Sequence, residues 1–285
     1  MKALITGSVG FIGSHIYEKY KAAGHEVIRI DRKHEHHSPK DGLYSLDLGL
    51  VTYSNLLQIL KGVEVVNHLA AQIDVRESIR SPSQDAHQNI MLSLKLLEAS
   101  IEAGVKRFIF SSSGGAIDNS EFPTSPYGIA KLTIEKYLNF YQKQHNLETV
   151  VLRYSNVYGP RQRDGVISLF IPKLLKNQPI TINGDGSQTR DFVFVKDVAE
   201  ANNIALTCQS GIYTISSGSS ISIKETTEQL IKLCSSTSEV TYGISQKGEI
   251  LESNLQSSGP KGWEATTSLE DGLKQTIEYY KQNRS

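Results

Sequence analysis

With 285 residues and 30 basic against 30 acidic side chains, the chain can bury one large core or a large domain with a smaller companion. It carries no net field that would draw it to nucleic acid or a membrane surface. Cys208 and Cys234 are too few and too poorly patterned for a disulfide framework or a metal site, and neither is assigned a function. The opening "MKALITGSVGFIGSHI" offers a strand's worth of apolar residues and then glycines rather than a secretory leader. No later run reaches the roughly 18 apolar residues of a membrane span, so a cytoplasmic protein with no membrane partner is expected.

Taken in chain order, "KALIT" (2–6), "EVIRI" (26–30), "VEVVNHL" (63–69), "RFIFSS" (107–112) and "ETVVLRY" (148–154) read as buried strands with amphipathic segments between them. This alternation predicts an α/β fold, a doubly wound parallel sheet. "KHEHH" (33–37) reads as a solvated loop. After about residue 155, "ISLFIPKLLKN" and "DVAEANNIALT" look helical, "GIYTISS" (211–217) looks like one more strand, and "GPRQRDG" and "NGDGSQTRD" are long polar loops of the kind that carry binding residues. A nucleotide-binding domain with a smaller, partly interleaved α/β substrate-binding domain is the expected organisation.

Directly after the first strand stands Thr6-Gly7-Ser8-Val9-Gly10-Phe11-Ile12-Gly13, followed by a helical pattern. Glycines at 7, 10 and 13 permit a tight turn, close approach to a pyrophosphate and close packing of helix on strand, although the spacing is one residue wider than the usual dinucleotide fingerprint. Asp31, ending the second strand, suits the two hydroxyls of a ribose and repels a 2′-phosphate, which favours NAD over NADP; it could also simply cap a turn. In "SPYGIAK" (125–131), Ser125 and Pro126 suit a helix start, so Tyr127 and Lys131 fall one turn apart on one face. An ammonium there would lower the phenol's pKa from about 10 and make a usable acid/base, yet the same spacing also serves an ordinary solvated helix face.

"TGSVGFIG", "NHLAAQIDVRES", "FIFSSS", "SPYGIAK", "LRYSNVYGPRQ" and "NGDGSQTRDFVFVKDVAEA", in this order, give a chain that resembles the extended short-chain dehydrogenase/reductases, and most of all the UDP-sugar 4-epimerases. The resemblance implies a Rossmann-type NAD-binding domain over 1–155, with 190–217 returning to it, and a nucleotide-sugar-binding domain from 156–189 and 218–285. It implies that Tyr127 is the acid/base, that Lys131 tunes it and holds the nicotinamide ribose, and that Ser113 orients the sugar hydroxyl, with Ser112 the second candidate. Gly7, Gly10, Phe11, Ile12, Gly13, Asp31, Asp47, Leu48, Leu69, Ala70, Ala71 and Asn89 would line the NAD site. Asn156, Val166, Ile167, Asn183, Arg190, Lys247 and Ser253 would hold the UDP-sugar, the arginine fork being apt for phosphate oxygens. A homodimer is also implied.

Two departures stand out. Ser113 reaches Tyr127 after only 14 steps, with Asp118 where relatives carry tyrosine, and Gln246-Lys247-Gly248-Glu249 replaces an arginine-proline-glycine-acid segment. Gly114-Gly115 stand where a dehydratase needs an acid pair, which disfavours dehydration; a 4-keto reductase or decarboxylase shares the Tyr/Lys/Ser chemistry. A non-catalytic NAD sensor on the same fold would typically lack the Tyr or the Lys, and both are present. Ser253 and Asn183, small and polar where sugar-restricted relatives carry aromatics, imply room for an N-acetyl group.

Overall fold

The structure, a computed structural model, describes residues 1–32, 42–114, 123, 125–245, 251–252 and 255–283. In chain order the first elements are β1 (Lys2–Thr6), α1 (Phe11–Ala22), β2 (Glu26–Asp31), β3 (Leu43–Ser45), α2 (Tyr53–Leu60), β4 (Val65–His68), α3 (Val75–Arg80) and α4 (Pro82–Ala86). A π-helical turn (His87–Met91) joins α4 to α5 (Leu92–Glu102), and β5 (Arg107–Ser113), α6 (Pro126–His145) and β6 (Glu148–Tyr154) follow. The remainder comprises β7 (Asn156–Tyr158), α7 (Val166–Leu174), β8 (Ile180–Asn183), β9 (Thr189–Phe194), α8 (Val195–Ala205), β10 (Gly211–Ile215), β11 (Ser220–Ser222), α9 (Ile223–Cys234), β12 (Val240–Gly243) and α10 (Leu269–Gln282).

The apolar runs become the inner strands of a seven-stranded sheet ordered β10-β6-β5-β4-β1-β2-β3. β1 pairs in parallel with β2 on one side and β4 on the other, and β5 continues the parallel ladder beyond β4. Strands so placed are covered on both faces, which is why their sequences are continuously apolar. Leu4, Ile30, Val66, Phe108 and Phe110 pack with Leu56 and Leu60 of α2, Leu96 of α5, and Ile134 and Leu138 of α6. Each such side chain removed from water contributes roughly 1.5–3 kcal/mol. The strand order reverses between β1 and β4, and a crevice at the carboxyl ends of these two strands is where doubly wound sheets bind ligands.

The chain divides into two compact units, one of Met1–Arg153, Ala199–Tyr213 and Pro260–Gly262, the other of Tyr154–Val198, Thr214–Gly259 and Trp263–Ser285. The return to the first unit is thus shorter than the expected 190–217. The reason is that β9 pairs in parallel with β7 and antiparallel with β11 in a separate three-stranded sheet of the second unit. That unit also has a parallel β8–β12 pair and its own core of Tyr158, Ile167, Phe170, Phe194, Leu230 and Leu273. Among the described residues no helix is long and apolar enough to cross a membrane. The "KHEHH" loop lies outside them.

Candidate active site

The glycine turn follows β1 at the switch point. Gly7 holds a φ of 67°, and a Cβ there would stand 3.0 Å from Ala70 N in the segment after β4. A Cβ on Gly13 would stand 2.2 Å from Gly7 O, so only glycine lets α1 pack this closely on the turn. α1 starts after Gly10 with no side-chain cap and no acid in its first turn, leaving its first amides to an outside acceptor. Asp31 Oδ2 accepts from Val9 N at 2.9 Å, so the acid at the end of β2 also braces the turn. A cradle that excludes Cβ atoms, free helix amides and a carboxylate at the next strand end fit the diphosphate and ribose of a dinucleotide.

Asp47 accepts from Gly49 N at 2.7 Å and shapes the turn after β3. The Leu48 side chain is buried in the core of the first unit, so of this residue only the backbone can face a cofactor. Its carbonyl accepts from Lys95 Nζ at 3.1 Å. Leu69 and Ala70 donate their amides to Thr6 Oγ1 at 3.2 and 3.1 Å, tying the segment after β4 to the end of β1. The Asn89 side chain, buried on the π-helical turn, pairs with both backbone groups of Gln72, accepting from its N at 2.8 Å and donating to its O at 2.9 Å. It therefore serves as a clasp on the segment that follows Ala71.

β5 and α6 bring the acid/base candidates together. Ser125 caps α6, accepting from Gly128 N, Pro126 occupies the first turn, and the 20-residue helix sets Tyr127, Lys131 and Glu135 on one face. Tyr127 is half-buried and hydrogen-bonded through its side chain to Ser113. Lys131 is buried, donates to Ser111 O at 2.8 Å and stands 5.7 Å from the Tyr127 ring centroid. Burial pushes the phenol up to about 12, the Ser113 hydrogen bond pulls it down, and the charge of Asp85 pushes it up. The direction is thus opposite to the expected lowering: in the protein alone desolvation dominates, and the Lys131 ammonium is directed at a backbone carbonyl. Lys131 is itself drawn down to about 8 by burial, against the opposing charges of Asp85 and Glu135.

In the second unit, Asn156 is exposed on β7, and Asn183 is exposed at the end of β8 with its carbonyl accepting from Gln188 Nε2 at 2.8 Å. Arg190, half-buried on β9, donates to Thr189 O at 2.7 Å. Val166 and Ile167 open α7 after Gly165, whose φ is 100°. The Ile167 side chain is fully buried in the core of its unit, so its binding capacity is confined to the helix-start amide. Lys247, Ser253 and Asp118 lie outside the described residues.

Four polar groups of the first unit went unnoticed in the sequence: His68, Gln72, Asp85 and Glu135. Thr6 Oγ1 accepts two amides, so its own proton goes to His68 Nδ1 at 2.7 Å. His68 must then carry its proton on Nε2, donating to Ser93 Oγ at 2.9 Å, and Ser93 donates to Asn89 O at 2.7 Å. Burial, aided by the charge of Lys131, lowers His68 to about 3 and keeps it neutral. Glu135, also buried, accepts from Ser112 Oγ at 2.6 Å and from Arg153 Nε at 3.0 Å. Its position one turn beyond Lys131 was the available signal; nothing in the sequence marked the other three.

This geometry can be set beside known proteins. Over 99% of both chains, the protein is 32% identical to the UDP-glucose 4-epimerase of Mycolicibacterium smegmatis. Its fold is similar to that of the Thermotoga maritima UDP-glucose 4-epimerase solved with UDP-glucose, at a TM-score of 0.93 and 37% identity over 100% of both chains. It is also similar to the UDP-N-acetylglucosamine 4-epimerase of Methanobrevibacter ruminantium, at 0.91 and 30% identity over 99% of this chain and 98% of the other. The profile of the NAD dependent epimerase/dehydratase family matches residues 3–216, the stretch that holds the glycine cradle, Ser113, Tyr127 and Lys131, and the chain belongs to that family.

Proposed function

We propose that the protein interconverts UDP-hexoses at C4, with NAD as a bound cofactor and a transient 4-keto sugar, and that UDP-GlcNAc and UDP-GalNAc are among its substrates. The observation that carries this reading is the hydrogen-bonded Ser113–Tyr127 pair with buried Lys131 one turn along the same helix. NAD, when bound, supplies the acceptor for the C4 hydride and, on its oxidised ring, a positive charge. Tyr127 Oη takes the proton of the sugar's C4 hydroxyl as the carbon loses hydride, and returns it when hydride comes back to the opposite face. Ser113 orients the C4 oxygen, and Lys131, held by Ser111 O, fixes the nearby positive charge. Gly7, Gly10, Phe11, Ile12, Gly13, Asp31, Asp47, Leu69, Ala70, Ala71 and Asn89 serve the cofactor; Asn156, Asn183, Arg190 and the α7 start serve the nucleotide sugar. Gly114-Gly115, in place of an acid pair, weigh against 4,6-dehydration.

The test is incubation of the purified protein with UDP-Glc, UDP-GlcNAc and UDP-GlcA, the products read by NMR. C4 epimers are expected, and Tyr127→Phe should abolish them while leaving NAD binding intact; wild-type turnover in that variant would sink the assignment. Net consumption of NAD(P)H would make the protein a reductase instead. A homodimer is part of the proposal. Met91, Ile129 and Phe140, each more than half exposed on the adjoining π-helical turn and α6, offer a second copy an apolar face. Phe140→Lys should shift the sedimentation coefficient to that of a monomer, and an unchanged coefficient would place any contact elsewhere.

A further inference from the structure

Asp85, near the end of α4, is 2% exposed. Its Oδ1 accepts from Gln72 Nε2 and Asn89 Nδ2, each at 2.9 Å, while Oδ2 is buried with no hydrogen-bond partner among the described residues. A buried carboxylate oxygen without a donor is costly. The two donors bind Oδ1 alone, so bracing Gln72 and Asn89 uses only one of the two carboxylate oxygens. α4 packs on α6, which carries Tyr127 and Lys131.

We infer that Asp85 is a positioning residue of the acid/base site: its buried carboxylate, on the helix that packs against α6, adds the negative charge that favours the ammonium of Lys131 and the neutral phenol of Tyr127. The other ionisable groups around it leave this role open. Glu77 and Arg80 of α3 are paired with each other at 2.9 Å. Glu135 of α6 is bound by Arg153 and Ser112, and His68 is held neutral. Arg32 lines a cleft together with Asp85, Gln72 and Glu77, and His87 lies on the π-helical turn. Burial raises Asp85 itself, while Gln72, Asn89 and Lys131 favour its ionised form. The sign is the same for both partners, since a neighbouring anion raises the pKa of an ammonium and of a phenol alike.

The inference rests on the acid/base reading of Tyr127 and Lys131, and the experiment separates the two. Asp85→Asn should move both limbs of the kcat/KM–pH profile toward acid by roughly one pH unit, the scale of a neighbouring charge. Asp85→Glu, which keeps the charge, should restore the wild-type position. Tyrosinate difference absorbance, taken against Tyr127→Phe in each background, should show the Tyr127 step at lower pH in Asp85→Asn without reference to turnover. Should Asp85→Asn not fold, Asp85→Ser carries the same expectation. An unmoved profile and an unmoved tyrosinate step would overturn the inference, as would equal displacement by Asn and Glu. Full turnover in Tyr127→Phe would instead remove the reading beneath it.

Discussion

Ser112 Oγ donates to Glu135 Oε1 at 2.6 Å, and the same carboxylate oxygen accepts from Arg153 Nε at 3.0 Å. The middle serine of "SSS" is therefore committed to a buried network, whereas Ser113 is hydrogen-bonded to Tyr127. The two serines should respond differently to deletion. Ser113→Ala should lower kcat by about a hundredfold or more, the low end of what a positioned proton-transfer partner contributes. Ser112→Ala should leave kcat within a few-fold and cost roughly 1–3 kcal/mol in urea unfolding, because Glu135 loses a donor it cannot replace. A larger kcat loss at Ser112 would exchange their roles.

Asp31 both accepts from Val9 N and ends β2 at the cofactor crevice. Its negative charge should make NAD bind at least about tenfold tighter than NADP, or roughly 1.4 kcal/mol. Asp31→Ala should weaken both, since the turn loses its brace, and should narrow the ratio if the acid serves the ribose as proposed. Calorimetry giving equal affinities in the wild type would mean that Arg32 and Lys33 offset the carboxylate.

The sheet was legible because strands covered on both faces leave continuous apolar runs, and the glycine cradle because Gly7 and Gly13 sit where no side chain fits. The helix start at Ser125-Pro126 placed Tyr127 and Lys131 correctly on one face. The sign of the phenol's shift was not legible, because desolvation depends on what packs over Tyr127 and not on its spacing from Lys131. What Leu48 and Ile167 could offer a ligand was not legible for a related reason: their side chains build the cores, which leaves only backbone groups for binding. His68 and Asp85 sit in an unremarkable apolar strand and a short helix, and only the fold brings them to Thr6, Asn89 and Gln72.

His68 gives a pH signature in stability. Its pKa falls from 6.5 to about 3 on folding, so its contribution is complete above pH 6.5. As pH drops through that window the unfolded chain takes a proton that the native state refuses. Native stability should then decline through this residue by roughly 1 kcal/mol per pH unit. Urea midpoints between about pH 7 and pH 4.5 should fall less steeply in His68→Gln than in the wild type, once each is referenced to neutral pH. Parallel slopes would show that His68 is protonated in the native state, and would break the chain from Thr6 to Ser93.

The proposed breadth of sugar use has its own test. Asn183 stands exposed at the end of β8, and on the proposed reading Ser253 borders the C2 substituent of the sugar. If Ser253 borders the C2 substituent as proposed, both sugar classes should be turned over, the acetylated pair at least as well. Filling the space beside it should reverse the preference. Ser253→Tyr is expected to depress kcat/KM for UDP-GlcNAc about 10- to 200-fold more than for UDP-Glc, the 1–3 kcal/mol that packing alone can discriminate. Coupled assays of C4 inversion on each sugar read the ratio directly. Equal losses on the two substrates, or no wild-type turnover of UDP-GlcNAc, would refute the gate. Specificity would then pass to the short connection between Ser113 and Tyr127, whose 14 steps leave less chain to border the sugar than relatives have.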